Sequence, residues 1–281
     1  MPVLCDFLFG LLTVSEQILH DFKRSDYWRK PIDLSLTIFL RSDIFSHIIN
    51  NARERDKLIY TRITWEDSEL LLRVLEQRFL PYCSSYPNDI WTKYFCPTVK
   101  GIKTRDYLIS CILPRPRDLI YFTKAAIENS VNRGHTKILE DDVLTGEKKY
   151  SQYALDSLLV ENGIRIKNFE DMLYEFAFSN EIITDQDIFG AMRVCHINEE
   201  ELDYVINTLF ELTFIGMEVA EGRYDYLYNE ENKGKIQAMA RKETERSPKR
   251  ARRFRINRPF HAYLEIQPSQ DISTLTLPLS L

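Results

Sequence analysis

Three arginines have both the side chain and the sequence context to bind phosphate. Arg41 follows an apolar run at residues 34–40, and Arg115 and Arg117 flank a proline directly before an amphipathic stretch. A guanidinium binds phosphate oxygens in pairs, and the first turn of a helix adds free N–H groups. The alternative interpretation is that these arginines form ordinary surface ion pairs with neighbouring aspartates.

A second concentration of basic residues lies near the C-terminus. Residues 246–258 contain seven Lys and Arg side chains and no acid. Such a segment can bind nucleic-acid phosphates with release of counterions. The alternative is a solvated linker whose charge balances an acidic body. The residues predicted to contact phosphate are Lys249, Arg250, Arg252, Arg253 and Arg255.

The total charge excludes one function class. The chain has 281 residues and a formal net charge of −5, from 37 basic and 42 acidic side chains. Removal of the seven positive charges of residues 246–258 leaves a body of about −12 by the same count. The molecule as a whole is therefore not a polycation that coats nucleic acid.

The motifs of common enzyme classes are absent from the sequence. None of G-x-x-x-x-G-K-[ST], G-x-S-x-G, H-E-x-x-H and G-x-G-x-x-G occurs, so we predict no catalytic residue within this chain. The five histidines are scattered and the five cysteines form no C-x-x-C pair. This pattern favours reduced thiols in a cytoplasm and predicts no metal site.

The apolar N-terminus has neither the form of a signal peptide nor that of a membrane span. It contains Asp6, has no basic residue before the apolar run, and continues into Glu16 and Gln17. A bilayer span needs about 20 apolar residues. The leucines recur at helical spacing, which predicts a helix packed on a larger body, no membrane partner and a cytoplasmic location.

Periodicity predicts a mainly α fold with a small α/β remnant. The run at residues 34–40 is typical of a buried strand, and residues 81–101 of a long irregular loop. Three amphipathic patterns after residue 168 precede a hairpin about Glu221-Gly222, as in a winged helix-turn-helix. The third pattern, residues 198–214, has five acids and no Lys or Arg, which favours a protein contact over DNA.

Four sequence blocks resemble a known family. They are TIFLRSDIF, LPRPRDLIYFTKAAI, RGHTKILEDDV and the closing RFRINRPFHAYLEI. Together they are similar to the C-terminal part of the FunZ-type bacterial P-loop ATPases, which are relatives of the STAND and AAA classes, several of them tied to defence against phage. The resemblance extends from about residue 30 to residue 267.

The resemblance implies a role for each predicted arginine. Arg41 would be a sensor-1-type arginine after a core strand, and Arg117 with Arg115 the sensor-2-type arginines of an AAA-like helical lid that touch nucleotide phosphates. The implied domains are an α/β core remnant at 1–65, the helical lid at 66–165, a winged helix at 166–230, and a basic linker and tail at 231–281.

The sequence departs from the family in lacking the Walker A loop and the Walker B strand. Without them phosphoryl transfer loses its positioning lysine and its magnesium-ordering carboxylate. We therefore expect no hydrolysis by this chain alone, and ATP and magnesium only with a partner that supplies the P-loop. Two hypotheses stay open: a truncated or split ATPase fragment that pairs with an ATPase half or oligomer of its family, and a winged-helix regulator that binds nucleic acid through 246–258.

Overall fold

A computed structural model describes residues 2–23, 34–51, 60–82, 89–161, 166–246 and 250–269. The chain divides into two compact units, Met1–Ile63 and Thr64–Leu281. Helices predominate and the strands are short, which confirms the prediction of a mainly helical fold with little β-structure. Within the described ranges, none of the helices combines the length and the apolar composition that a bilayer crossing requires.

The first unit contains two helices that pack on each other, α1 (Pro2–Lys23) and α2 (Ser42–Asn51). Ile48 of α2 is buried. Phe45 of α2 meets Tyr60 edge to face, with ring centroids 4.5 Å apart, a geometry that aromatic pairs favour. These contacts give the unit a small apolar centre.

The predicted core strand at residues 34–40 is not formed. These residues have no regular secondary structure, and Leu36 and Phe39 are 47% and 80% exposed. The prediction of a buried strand, on which the α/β remnant depended, is therefore wrong. A strand is stabilised by hydrogen bonds to a neighbouring strand, and the described part of this unit contains none. Apolar, β-branched composition is not sufficient without that neighbour.

The N-terminal part of the second unit is helical. Its first helix begins where Asp67 accepts a hydrogen bond from the backbone N–H of Glu69 at 2.9 Å, which satisfies a free donor of the first turn. Leu71, Leu72 and Leu75 turn inward and are buried. The helices are α3 (Ser68–Phe79), α4 (Asp89–Tyr94), α5 (Thr104–Ser110), α6 (Pro116–Asn132) and α7 (Glu140–Glu161).

The long helices α6 and α7 pack closely against each other. A Cβ atom placed on Gly146 of α7 would lie 2.8 Å from the backbone nitrogen of Ala126 on α6. Only glycine permits this approach, because any side chain would push the helices apart. Phe122 of α6 and Tyr150 of α7 are fully buried and stack with centroids 5.6 Å apart. This helix pair is the closely packed centre of the helical part.

The segment predicted as a long irregular loop, residues 81–101, contains more order than expected. After α4, the strand β1 (Thr98–Val99) pairs with β2 (Ile102–Lys103) through a tight turn in which Lys100 and Gly101 have positive φ. Phe95 and Val99 are fully buried. The prediction failed because these elements are too short to show a period, and they are ordered by burial of aromatic and apolar side chains.

The C-terminal part of the second unit combines short helices with a four-stranded sheet. The three predicted amphipathic helices and the hairpin at Glu221-Gly222 are confirmed. Gly222 has φ +71, which suits a glycine in a tight turn. The elements in chain order are α8 (Phe169–Tyr174), β3 (Ile182–Thr184), α9 (Asp185–Val194), α10 (Leu202–Glu211), β4 (Ile215–Ala220), β5 (Arg223–Asp225), α11 (Lys233–Arg246), β6 (Arg253–Ile256) and α12 (His261–Leu264).

The strand β6 occupies the middle of this sheet. The strand order is β3-β6-β4-β5, and every neighbouring pair is antiparallel. Phe254 and Ile256 of β6 are buried, whereas Arg253 and Arg255 alternate with them and are partly exposed. Within residues 231–281, for which the sequence predicted a basic linker and tail, residues 233–246, 253–256 and 261–264 form α11, β6 and α12. Buried and partly exposed residues alternate over only four positions in β6. Because the surrounding sequence is highly basic, this short strand pattern was not recognised.

Candidate functional site

The turn before α6 is held in place by the helix pair. The backbone N–H of Leu113 donates to the Tyr150 hydroxyl at 3.0 Å, and the N–H of Arg115 donates to the Leu113 carbonyl at 2.6 Å. Burial, together with the nearby charge of Asp118, raises the pKa of Tyr150 well above its ordinary value. Tyr150 is therefore a neutral, fixed hydrogen-bond acceptor. Prolines at 114 and 116 restrict the turn further.

Arg115 and Arg117 project from this fixed turn at the start of a 17-residue helix. Arg115 is the N-cap residue, and its carbonyl accepts hydrogen bonds from the N–H groups of Asp118 and Leu119 at 3.1 and 3.4 Å. Both arginines are exposed, and Asp118 is buried. Two guanidinium groups beside the positive end of a helix dipole can bind an anion such as a phosphate group.

Arg41, the third predicted phosphate contact, lies in the first unit, Met1–Ile63. It is exposed and directly precedes α2, where its carbonyl accepts the first helical hydrogen bond from the Phe45 N–H at 2.9 Å. The strand that was expected to position Arg41 is not formed. The structure therefore brings Arg115 and Arg117 together in one turn and places Arg41 in a different structural context.

The predicted nucleic-acid contacts are ion-paired within the sheet region. Arg252 lies 3.2 Å from Asp185 and 2.6 Å from Asp203. Arg250 and Arg253 both contact Glu218, at 3.3 and 3.6 Å. These acids come from α9, α10 and β4, so the sheet assembles the pairs from distant sequence positions.

Arg255 of β6 completes this set of ion pairs. Its guanidinium lies 3.3 Å from the largely buried carboxylate of Glu181. Burial acts to raise the pKa of Glu181, but hydrogen bonds from Ser269 and the charge of Arg255 lower it overall. Lys249, the remaining predicted contact, lies outside the described residues. Each of the four described arginines in the predicted set therefore contacts a carboxylate of the sheet region, and Arg250 and Arg253 share Glu218.

A cleft of about 460 Å³ lies among α10, β4, α11 and residues 250–254. Ile206, Met217 and Phe254 are among its apolar lining residues, and charged residues of both signs complete the lining. Because the acids and arginines here already pair with each other, the cleft has no strong preference for one sign of charge. Within the described ranges, no three His, Cys, Asp or Glu side chains are grouped so that they could hold a metal ion.

A buried polar cluster joins α5, α7 and the chain after β6. The Tyr107 hydroxyl donates to Glu147 at 2.6 Å, and Arg258 contacts the other oxygen of Glu147 at 2.8 Å. Burial raises the pKa of the adjacent Cys111 thiol to about 12, despite the opposing effect of Arg258. Sequence reasoning missed this cluster because its members are far apart in the chain and share no motif. Its geometry fastens the C-terminal elements to the helical part.

The block RGHTKILEDDV has a structural role at the start of α7. The buried carboxylate of Asp142 contacts Nδ1 of His135 at 2.8 Å and accepts a hydrogen bond from the Leu139 N–H at 3.0 Å. Arg133 lies 3.4 Å from its other oxygen. Burial acts to raise the pKa of Asp142, but these partners lower it overall. These contacts hold the loop between α6 and α7 against the first turn of α7.

Comparison with known proteins gives one match. Residues 68–159 match the model of the FunZ-associated C-terminal helical domain. The matched range extends from α3 almost to the end of α7 and includes the turn with Arg115 and Arg117. This match supports a FunZ-related protein. No curated protein and no solved structure matches the chain.

Proposed function

We propose that this chain is a FunZ-related, nucleotide-responsive interaction module. In this proposal residues 66–165 act as an AAA-type helical lid, and Arg115 and Arg117 contact the phosphates of a nucleotide. The nucleotide and its magnesium ion are held by a P-loop outside these 281 residues, because the sequence contains no Walker A motif. The single observation that carries the proposal is the rigid, doubly anchored turn that presents both arginines.

The physical case for phosphate sensing rests on pre-organisation. The backbone on both sides of Arg115 is fixed by hydrogen bonds and prolines, so the entropy lost on binding is mainly that of the two arginine side chains. A lid without a P-loop can alter nucleotide affinity but supplies no group for phosphoryl transfer. We therefore expect nucleotide sensing without hydrolysis by this chain alone. For Arg41, a phosphate-sensing role rests on the family resemblance alone.

The proposed role of the sheet region is contact with another protein. The order α8, β3, α9, α10, β4, β5 is that of a winged helix, and we propose this architecture for residues 166–230, with β6 as an added strand. The α10 segment is acidic at its start, with Glu199, Glu200, Glu201 and Asp203. An acidic helix is repelled by the phosphates of a DNA duplex.

Nucleic-acid binding through residues 246–258 has less physical support than this contact. A phosphate would have to displace carboxylates from Arg250, Arg252, Arg253 and Arg255. Two of the displaced acids, Glu181 and Glu218, are largely buried and would then be left without their partners, at a substantial free-energy cost. A role in phage defence is implied by the family resemblance alone. It would be the biological process in which such a sensor acts.

The proposal is tested with this chain and the P-loop-bearing polypeptide of a FunZ-type ATPase. The double variant Arg115→Gln/Arg117→Gln is compared with Lys124→Gln, which removes one positive charge from the exposed face of the same helix. We expect the double variant to weaken ATP binding by the mixture about tenfold or more, because a hydrogen bond to a charged group contributes about 1.5–3 kcal/mol. Isothermal titration calorimetry measures the affinity.

The control variant Lys124→Gln should leave the ATP affinity of the mixture unchanged. Equal affinities of the wild-type chain and the double variant would contradict phosphate sensing by this turn. Thermal unfolding of each variant checks that the turn itself is intact. Hydrolysis of ATP by this chain alone would contradict the expectation of a non-catalytic module.

A further inference from the structure

Helix α1 has an exposed apolar stripe that α2 does not cover. Phe7, Leu11, Val14 and Ile18 are 66%, 45%, 49% and 41% exposed. Their spacing of four, three and four residues places them on one face of the helix. An isolated exposed apolar residue is ordinary, but a continuous stripe of four indicates a contact surface.

The stripe is separate from the face that α1 uses within its own unit. Leu8, Leu12, Ser15 and Leu19 have intermediate burial and follow one another along a neighbouring face of the helix. α1 therefore has a wider apolar arc than a helix with a single neighbour needs. The part of the arc formed by Phe7, Leu11, Val14 and Ile18 remains available for a second helix.

From this surface we propose that two copies of the chain associate through α1, antiparallel, about a two-fold axis between Leu11 and Val14. The stripe is symmetric about that point. In such a pair Phe7 of one copy packs on Ile18 of the other, and Leu11 packs on Val14. A two-fold interface requires a surface that is complementary to itself, and this spacing provides it. The inference does not depend on the proposed phosphate site.

The charges of α1 favour a second copy over other occupants. At the edges of the stripe, Gly10, Ser15 and Gln17 carry no charge, and the acid Asp21 lies beyond its C-terminal end. The centre of the contact between two copies is therefore free of charge repulsion. α1 has no Lys or Arg before Lys23. An anionic membrane surface, which attracts basic amphipathic helices, is therefore a poor match.

The antiparallel orientation follows from electrostatics. Antiparallel helices place the positive end of each dipole near the negative end of the other. A parallel pair would instead place the exposed Asp21 of one copy beside that of the other. Four side chains per copy bury less than the roughly 1,200 Å² that marks the lower end of stable interfaces. The association should therefore depend on protein concentration.

Sedimentation velocity of the full-length chain over a series of concentrations tests the proposal. We expect a monomer–dimer equilibrium for the wild-type chain. Leu11→Glu and Val14→Glu should each raise the dissociation constant about tenfold or more, because they place a charge in the apolar contact. Thr13→Glu is the matched control: Thr13 is exposed on the opposite side of α1, and its change should leave the dissociation constant unaltered.

Cysteine cross-linking in a Cys5→Ser background tests the orientation. Chains with Leu11→Cys mixed with chains with Val14→Cys should form a mixed disulfide dimer in preference to either self-dimer. Preferred self-dimers would indicate parallel helices and overturn the proposal. A wild-type chain that stays monomeric at every concentration would also overturn the proposal. So would a Thr13→Glu variant whose dissociation constant rises as much as those of Leu11→Glu and Val14→Glu. Far-UV circular dichroism verifies that every variant retains its helices.

Discussion

At the scale of single residues, several buried ionisable groups of this protein help to hold the fold together. His261 is an example: it is buried, and its Nε2 lies 2.8 Å from the Ile256 carbonyl oxygen. Burial and the positive charge of Arg258 lower its pKa to about 4, although Glu181 opposes this and Arg255 adds to it. The neutral imidazole therefore donates a hydrogen bond at the end of β6. Protonation would place a charge in an apolar and already positive setting.

We expect the free energy of unfolding to decrease as the pH falls from 7 to 5. In this interval the unfolded chain binds a proton at a histidine of pKa about 6.5, while His261 in the folded chain does not. Between pH 7 and pH 5, His261 should lower the free energy of unfolding by about 2 kcal/mol. Urea denaturation at several pH values measures the free energy of unfolding. In the His261→Gln variant this free energy should depend less steeply on pH than in the wild-type chain.

The exposed, non-titrating Gln152 on α7 provides the control for this measurement. Gln152→Asn should leave the pH dependence as it is in the wild-type chain. If His261→Gln shows the same dependence as the wild-type chain, the buried neutral histidine is not its source.

At the scale of elements, periodicity predicted the helices and failed for the shortest strands. The helices of the second unit have apolar stripes that are visible in the sequence, and the hairpin at Glu221-Gly222 has a turn signal. β6 was missed because two arginines alternate with Phe254 and Ile256 in only four residues. The run at residues 34–40 gave the opposite error, since it has strand composition but no strand partner among the described residues.

The central position of β6 makes its buried face important for stability. Phe254→Ala should lower the free energy of unfolding by about 3–5 kcal/mol, because it removes a buried aromatic ring and leaves a cavity. Tyr204 on α10 is 54% exposed, and Tyr204→Ala should change stability by no more than about 0.5 kcal/mol. Chemical denaturation measures the free energy of unfolding of both variants. Equal losses would contradict a structural role for β6.

At the scale of the whole molecule, the described residues of the second unit form a hydrophobic core of their own. Its buried members extend from Leu71 to Ile266, and the buried cluster of Tyr107, Glu147 and Arg258 joins the helical part to the C-terminal elements. The helical part and the sheet region, which the sequence suggested as separate domains, share this core. Cooperative unfolding of the two together follows from that arrangement.

We therefore expect residues 64–281 to fold without the first unit. A chain that begins at Thr64 should unfold cooperatively, with a free energy within about 1 kcal/mol of the value for the second unit in the full-length chain. Denaturant titration with tryptophan fluorescence follows the transition, since Trp65 and Trp91 pack against the core. A broad transition with a reduced denaturant slope would show that the first unit is needed for the fold.

The sequence by itself determined the mainly helical character, the hairpin, the pair of arginines at the start of α6 and the absence of a P-loop motif. These features depend on local spacing, turn residues and motif letters, which a sequence displays directly. Only the tertiary structure decided which carboxylates the arginines of the basic segment contact. Ion pairs between residues distant in sequence depend on tertiary neighbours, and Glu181, Asp185, Asp203 and Glu218 reach their partners only when β6 enters the middle of the sheet.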